Sequence, residues 1–422
     1  MKFKKITLKN GLRIITVPMK NTETVTVMTL VKAGSDYETK DINGISHFLE
    51  HMCFQGTVSR PNSGDISKEL DALGAQSNAF TSKEFTGYFA KAHKKHFPKI
   101  LDIVSDIYLN PIFKDDAIER EKGVVVEEIK MYEDLPQHKV GEVLEELLYG
   151  DQPAGWPIIG SEKNVRSFTK EQIVDYRRRH YTAKNTILVI AGGINSKKAE
   201  VLAKKHFLTV EDGSKNKHKK TDDTQSKSNI KLHFKETDQA HIVLGFRSFD
   251  IKNKDNPKIS VLEAILGRGM SSRLFRKLRD DLGICYYVRS GNDTADDRGV
   301  FAVSSGLSKD RVNIGIEAIL GEIKKIKTEL VPSEELRKAK DLMIGNMYLS
   351  LETSDSYADF YSFQDLYDLK IKSPEEKADR IEKVSAKDVM DVANKIFNQE
   401  NMNLAIVGPF KDEKEFKKIL SI

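Results

Sequence analysis

Residues 44–57 read GISHFLEHMCFQGT and place His47, Glu50 and His51 at i, i+3 and i+4. On a helix that turns about 100° per residue, these three side chains share one face. Two imidazoles one turn apart can both reach a zinc ion at about 2.0–2.1 Å, and a carboxylate beside them can hold a water there. The order HxxEH is the inverse of HExxH. With 10 histidines in 422 residues, and glutamate at roughly one residue in thirteen, chance yields this pattern about 0.02 times in such a chain.

A catalytic zinc takes three protein ligands and keeps one position open, so a further ligand must come from elsewhere in the chain. Residues 115–132, DDAIEREKGVVVEEIKMY, have helical character and carry Glu121, Val124, Val125 and Glu128 at i, i+3, i+4 and i+7. This is core-facing spacing with a carboxylate at each end. A buried carboxylate is costly unless it is paired or bound to a metal, so Glu121 or Glu128 on that stripe calls for a cation. The spacing fits equally well a partly exposed helix end whose glutamates sit in water. Glu127, about 100° round the helix, faces solvent.

These segments sit within two halves. Residues 210–229, VEDGSKNKHKKTDDTQSKSN, lose all apolar periodicity and have the composition of a solvated linker between a domain at 1–209 and another at 230–422. The halves look related. FTKEQIVDYRRRHYTAKNTILVIAG (168–192) lies over VSAKDVMDVANKIFNQENMNLAIVG (384–408) without a gap, at an offset of 216. Each piece has a Thr or Ser helix cap, an Ile or Val four residues later, an amphipathic helix, and an apolar strand ending in Gly. Duplication of one domain is the simplest explanation. Alternating segments such as LRIITV, TVTVMTLVKAG, IKLHFK and HIVLGF precede helical patterns, so the expected class is α+β, each domain packing helices on a largely antiparallel sheet.

The bulk composition narrows the function classes. A net charge of +5 is small against 68 basic and 63 acidic residues, and no basic and aromatic motif points to nucleic acid. The longest apolar runs, such as TILVIAGGI, fall short of the roughly 18 residues of a membrane span. The start, MKFKKITLKNGLRIITV, alternates like a strand and offers no signal-peptide core, so a cytoplasmic location is expected. Cys53 and Cys285 cannot build a disulfide framework and carry no CxxC spacing, which leaves them as small apolar packing residues.

HFLEHMCFQGT, with EREKGVVVEEIKMYED far downstream, resembles the zinc site of the pitrilysin family, which includes insulin-degrading enzyme and the mitochondrial processing peptidases. In that family HxxEH is followed, after 76 intervening residues, by a glutamate ligand, and counted from His51 that position is Glu128. The resemblance implies one Zn2+ held by His47, His51 and Glu128, with Glu50 as the general base and Glu121 supporting the site from behind its ligands. It also implies a hydrolase acting on peptides or unfolded polypeptides. GAQSNAFTSKEFTGYFA (74–90) is similar to the family's strand beside the zinc, where a substrate adds as an extra strand, so Asn78, Ala79 and Phe80 would offer that edge. An ordinary strand and hairpin is the alternative for this segment.

In the second half, GRGMSSRLFRKLRDDLGICYYV (267–288) resembles the family segment whose arginine and tyrosine, seven residues apart, reach the site from the opposite domain. Those residues are Arg279 and Tyr286, and a guanidinium and a phenol could stabilise a developing oxyanion. Read by themselves, Tyr286 fits equally a core strand residue and Arg279 a surface helix residue. Arg268 departs from the family's GGGMSSR and alters that loop's charge. The second half has no HxxEH, as expected of a noncatalytic repeat. Short members of the family close a chamber by pairing, which implies a homodimer or a heterodimer with a related subunit. The competing reading is a noncatalytic scaffold or assembly subunit, although such relatives lose zinc-site residues that stand here.

Overall fold

Among residues 3–422, which the computed structural model describes, the strands fall into two sheets. The first contains β1 (Lys4–Thr7), β2 (Arg13–Pro18), β3 (Thr24–Val31), β4 (Gln76–Thr81), β5 (Thr86–His93) and β6 (Thr186–Gly192), in the order β1-β2-β6-β3-β5-β4. The second contains β7 (Asn229–Phe234), β8 (Gln239–Ser248), β9 (Cys285–Thr294), β10 (Gly299–Ser308) and β11 (Met402–Gly408), in the order β7-β11-β8-β10-β9. Neighbours are antiparallel except β2 with β6 and β7 with β11. Helices pack on both sheets, which is the α+β class expected from the alternating segments followed by helical ones.

The internal repeat is a repeat of structure. Helix Lys170–His180 begins in a capping box of Thr169 with Gln172, and helix Ala386–Ile396 in one of Ser385 with Asp388. Each leads into a fully buried strand, β6 or β11. Both strands occupy the same place in their sheets, between a parallel neighbour (β2 or β7) and an antiparallel one (β3 or β8).

The two compact units do not divide as the contiguous halves 1–209 and 230–422. The first comprises the chain up to Lys130, Trp156–Lys219 and Leu349–Ser373; the second comprises Met131–Gly155, Lys220–Tyr348 and Pro374–Ile422. Each half thus lends a helix to the other half's sheet. Helix Pro136–Tyr149 packs on β7, β8 and β11, where it buries Val140, Val143, Leu144 and Leu148 against Val243, Ala405 and Val407. Gly245 makes room for it, since a Cβ there would stand 2.9 Å from the Leu144 side chain. Helix Ser354–Leu366 packs on β2, β3 and β6. Ser354 bonds Thr26 (2.8 Å), Asp355 accepts from Lys91 (2.7 Å) and the Asp365 carbonyl accepts from Arg13 (3.0 Å). Helix Phe97–Leu109 also packs on β3, which is buried almost throughout, as its alternation did not foretell.

Residues 210–228 are irregular and lead into β7 at Asn229, but they are not a purely solvated strap. Asn216 donates to the Lys32 and His180 carbonyls (2.8 and 3.1 Å), and His218 lies 3.8 Å from buried Glu84, all in the first unit. Thr221 is buried, its N–H donating to Asp297 (2.7 Å), and Gln225 accepts from Arg247 (2.8 Å), all in the second. Cys53 and Cys285 are free and buried. Among the described residues no helix is long and apolar enough to cross a membrane.

Candidate metal centre

The HxxEH helix spans Ile45–Met52 and buries Ile45, Phe48, Leu49 and Met52, with Phe48 against Phe168 at 5.5 Å. That leaves His47, Glu50 and His51 together on the remaining, half-buried face. Its entry is built with care. Gly44 precedes it at φ 101°, and a Cβ there would stand 2.6 Å from the Ile159 carbonyl oxygen. The buried Glu38 carboxylate then accepts from the Gly44 and Ser46 N–H groups, both at 2.8 Å, and from Asn43 at 2.9 Å. It thereby satisfies donors that a helix start leaves open. Burial pushes the Glu38 carboxyl up to about 7, against the hydrogen bonds from Ser46, Gly44 and Asn43.

The second helix, Asp115–Glu133, buries Ala117, Ile118, Glu121, Val125 and Val126. The stripe differs from expectation at Val124, which is 49% exposed. The buried face centres on Glu121 and Val125, and Val124 lies one step of about 100° away, at its solvent edge. Glu127 faces solvent and accepts from Lys130 at 2.8 Å, as its position on the helix required.

Glu128 Oε2 stands 3.8 Å from His47 Nε2 and 3.5 Å from His51 Nε2. One donor atom from each of the three lies within 4.8 Å of the others. Ligands at about 2.0–2.1 Å in a tetrahedron stand about 3.4 Å apart, so the trio needs little movement to close on one ion. The other side of His51 fixes its tautomer. Nδ1 lies 2.8 Å from Glu121 Oε1, and a donated Nδ1–H leaves the Nε2 lone pair directed at the Glu128 carboxylate. Two acceptors facing each other across that gap are reconciled by a bound metal ion or by a proton on Nε2.

The protonation tendencies agree with such a donor set. Burial, and then the charge of His51 nearby, hold His47 down at about 3, so its imidazole is neutral and free to ligate. Its Nδ1 is buried without a hydrogen-bond partner among the described residues. For His51, burial works against the proton, but the Glu121 hydrogen bond and the charges of Glu121, Glu128 and Glu50 outweigh it and raise the pKa. Three carboxylates thus pull positive charge toward this ring. Burial raises Glu50 as well, with Glu128 adding to the effect and Thr81 and His51 opposing it.

The strand proposed for substrate lies at one end of its sheet. β4 pairs with β5 on one side only, from Gln76 opposite Lys91 to Thr81 opposite Thr86. Asn78 is exposed, and the Ala79 N–H donates to the Asn78 side-chain oxygen at 2.9 Å. Phe80 turns back onto β5, where a Cβ on Gly87 would come within 2.3 Å of its ring. In the second unit, Arg279 and Tyr286 meet each other. The Arg279 Nη1 donates to the Tyr286 carbonyl at 2.6 Å, and the guanidinium lies 5.1 Å from the Tyr286 ring centroid. Tyr286 is 75% exposed, so its ring is not a core strand residue. Arg268 is tied to the buried Glu263 at 2.7 Å.

Two contributors had no signal strong enough to be read from sequence. Glu38 precedes the HxxEH helix with nothing to mark it as a cap. Thr81, whose hydroxyl donates to Glu50 Oε2, shares a strand face with Ala79 by the period of two, and that alternation was the available clue.

The chain is similar to known proteins along nearly its whole length. Residues 13–162 match the family model described as "Insulinase (Peptidase family M16)", and residues 167–343 match "Peptidase M16 inactive domain". An uncharacterized zinc protease of Bacillus subtilis, YmxG, is 33% identical over 96% of this chain and 98% of its own length. An uncharacterized zinc protease of Rickettsia felis is 35% identical over 95% of this chain and 96% of its own. The crystal structure of a protease from Helicobacter pylori matches with a TM-score of 0.90 at 25% identity, covering 97% of this chain and 100% of that one. With residues 13–162 and 167–343 both matched, and with relatives alike over nearly the whole chain, the chain belongs to peptidase family M16, the insulinase or pitrilysin family.

Proposed function

We propose that this chain is a zinc-dependent endopeptidase that hydrolyses peptides or unfolded segments. The observation that carries the reading is the convergence of His47, His51 and Glu128, one donor atom of each lying within 4.8 Å of the others, backed by the Glu121 contact to His51. A zinc ion bound there supplies Lewis acidity and lowers the pKa of water toward neutrality.

The protein groups do the rest. Glu50 accepts a proton from the water that attacks the peptide carbonyl carbon and returns it to the departing amine nitrogen. Its raised pKa suits a group that must hold that proton between the two steps. An extended peptide adds to the open edge of β4 at Asn78, Ala79 and Phe80, through backbone hydrogen bonds that tolerate varied sequences. Arg279 and Tyr286 serve as donors to the carbonyl oxygen as it gains charge. The chamber closes by pairing, as a homodimer or with a related subunit, and the enzyme works in the cytoplasm.

Metal analysis of the purified protein, with a quenched-fluorescence peptide assay before and after chelation, tests the class. One zinc per chain and chelator-sensitive cleavage support it, whereas metal-free, inert protein returns the chain to the scaffold reading. A strict monomer that cleaves peptides at assay concentration removes the pairing.

A further inference from the structure

We infer that Thr81 is a positioning residue that orients the Glu50 carboxylate, so that the strand offered to the substrate also aims the base. The inference rests on the peptidase reading above and adds a residue to it.

Thr81 is the last residue of β4, and its hydroxyl donates to Glu50 Oε2. A hydroxyl has one proton to give, and its alternatives are limited here. Thr86, the cross-strand partner, lies 3.4 Å away, and because its own hydroxyl donates to the Ala33 carbonyl at 2.9 Å it can only compete as a second acceptor. A carboxylate is a stronger acceptor than a neutral hydroxyl and has the stronger claim on the Thr81 proton. With Oε2 engaged, the carboxylate plane is set and Oε1 is left for proton transfer. A base held in one rotamer spends no reaction step on finding its orientation.

Thr81 is itself held in place. Its backbone is registered against Thr86, and the neighbouring Phe80 is clamped over Gly87 on the opposite strand face. Thr81 therefore joins two parts of the site that sequence leaves separate, the edge at Asn78 and Ala79 and the helix bearing Glu50. A shift of β4 on peptide addition is transmitted to the Glu50 carboxylate through one hydrogen bond.

The test compares Thr81→Val and Thr81→Ser with the unaltered full-length chain, reading zinc content, thermal melting, kcat and KM on the same peptide. Valine keeps the β-branched shape that suits a strand while deleting the hydroxyl. The expected result is a fall in kcat of about 10- to 100-fold for Thr81→Val, the scale of a hydrogen bond to a charged group. KM, zinc content and melting temperature stay close to those of the unaltered chain, and Thr81→Ser recovers most of kcat. Full activity in Thr81→Val overturns the inference, as does a Thr81→Ser protein no better than Thr81→Val, which would point to the methyl group's packing. If Thr81→Val fails to fold, an inactive but folded Thr81→Ser gives the same negative answer. An unaltered chain without zinc or turnover removes the peptidase reading itself, and the base-positioning role with it.

Discussion

His51 Nδ1 lies 2.8 Å from Glu121 Oε1, and this one contact decides which imidazole nitrogen faces Glu128. The acidic residue is 6% exposed, on the helix that also carries Glu128, so a single element supplies both a proposed ligand and the group that orients His51. Deleting that support with Glu121→Ala should weaken zinc affinity by about 10- to 100-fold without abolishing it. Competition against a chromophoric chelator measures this. Unchanged affinity would mean that the His51 tautomer does not depend on Glu121.

Glu50 and His51 are adjacent but should fail differently. Glu50→Gln retains the metal, because none of the three facing donors is touched, and loses turnover by about 10²- to 10⁴-fold. His51→Ala removes a ligand and should lose both metal and activity. Paired zinc analysis and peptide assay separate the two outcomes, and near-normal turnover in Glu50→Gln would remove the general-base assignment.

Arg279 holds the Tyr286 backbone and stacks on its ring, so the two should act as a unit. Tyr286→Phe is expected to lower kcat by about 10²- to 10³-fold with zinc content intact, the effect of losing one oxyanion donor. Arg279→Ala should cost at least as much, since it also frees the tyrosine. The double variant should then cost far less than the product of the two single effects. Strictly multiplicative losses would show that the two residues work independently.

Glu38 should leave a signature in the pH dependence of stability. Its carboxyl is pushed up to about 7 in the folded chain, so the folded state binds the extra proton between its ordinary range near 4.5 and that value. Stability from this group is therefore present at pH 4.5 and is lost as pH rises through about 7, by at most about 3 kcal/mol. Denaturant melts of the unaltered chain and of Glu38→Gln across that window should differ in slope, with the flatter profile in the variant. Parallel profiles would assign the pH dependence elsewhere.

Much of the site was legible because it is local or a matter of counting. Residues at i, i+3 and i+4 share a helix face whatever surrounds them, so His47, Glu50 and His51 needed no partner to be grouped. The distance from His51 to Glu128 along the chain, once matched to the family spacing, singled out one of two glutamates on the same stripe. The repeat was equally visible, because a capping box, an amphipathic helix and a buried strand each leave their own periodicity. Val124 shows the limit: its spacing suited the buried face, but the angular edge of that face depends on what packs against it.

What the amino-acid sequence determined by itself was the grouping of the candidate ligand side chains and the kinds of element that carry them. Only the tertiary structure decided which sheet each helix covers. Helices Pro136–Tyr149 and Ser354–Leu366 each lie in one half of the chain and pack on the sheet of the other. It also decided that a threonine at a strand end meets Glu50 and that Glu38 caps the helix of the histidines. The physical reason is that an apolar stripe or a hydroxyl declares what it needs to bury or to bond but not where its partner lies. That choice is made by close packing between segments far apart in the chain, where a missing Cβ at Gly245 or Gly44 matters as much as any side chain.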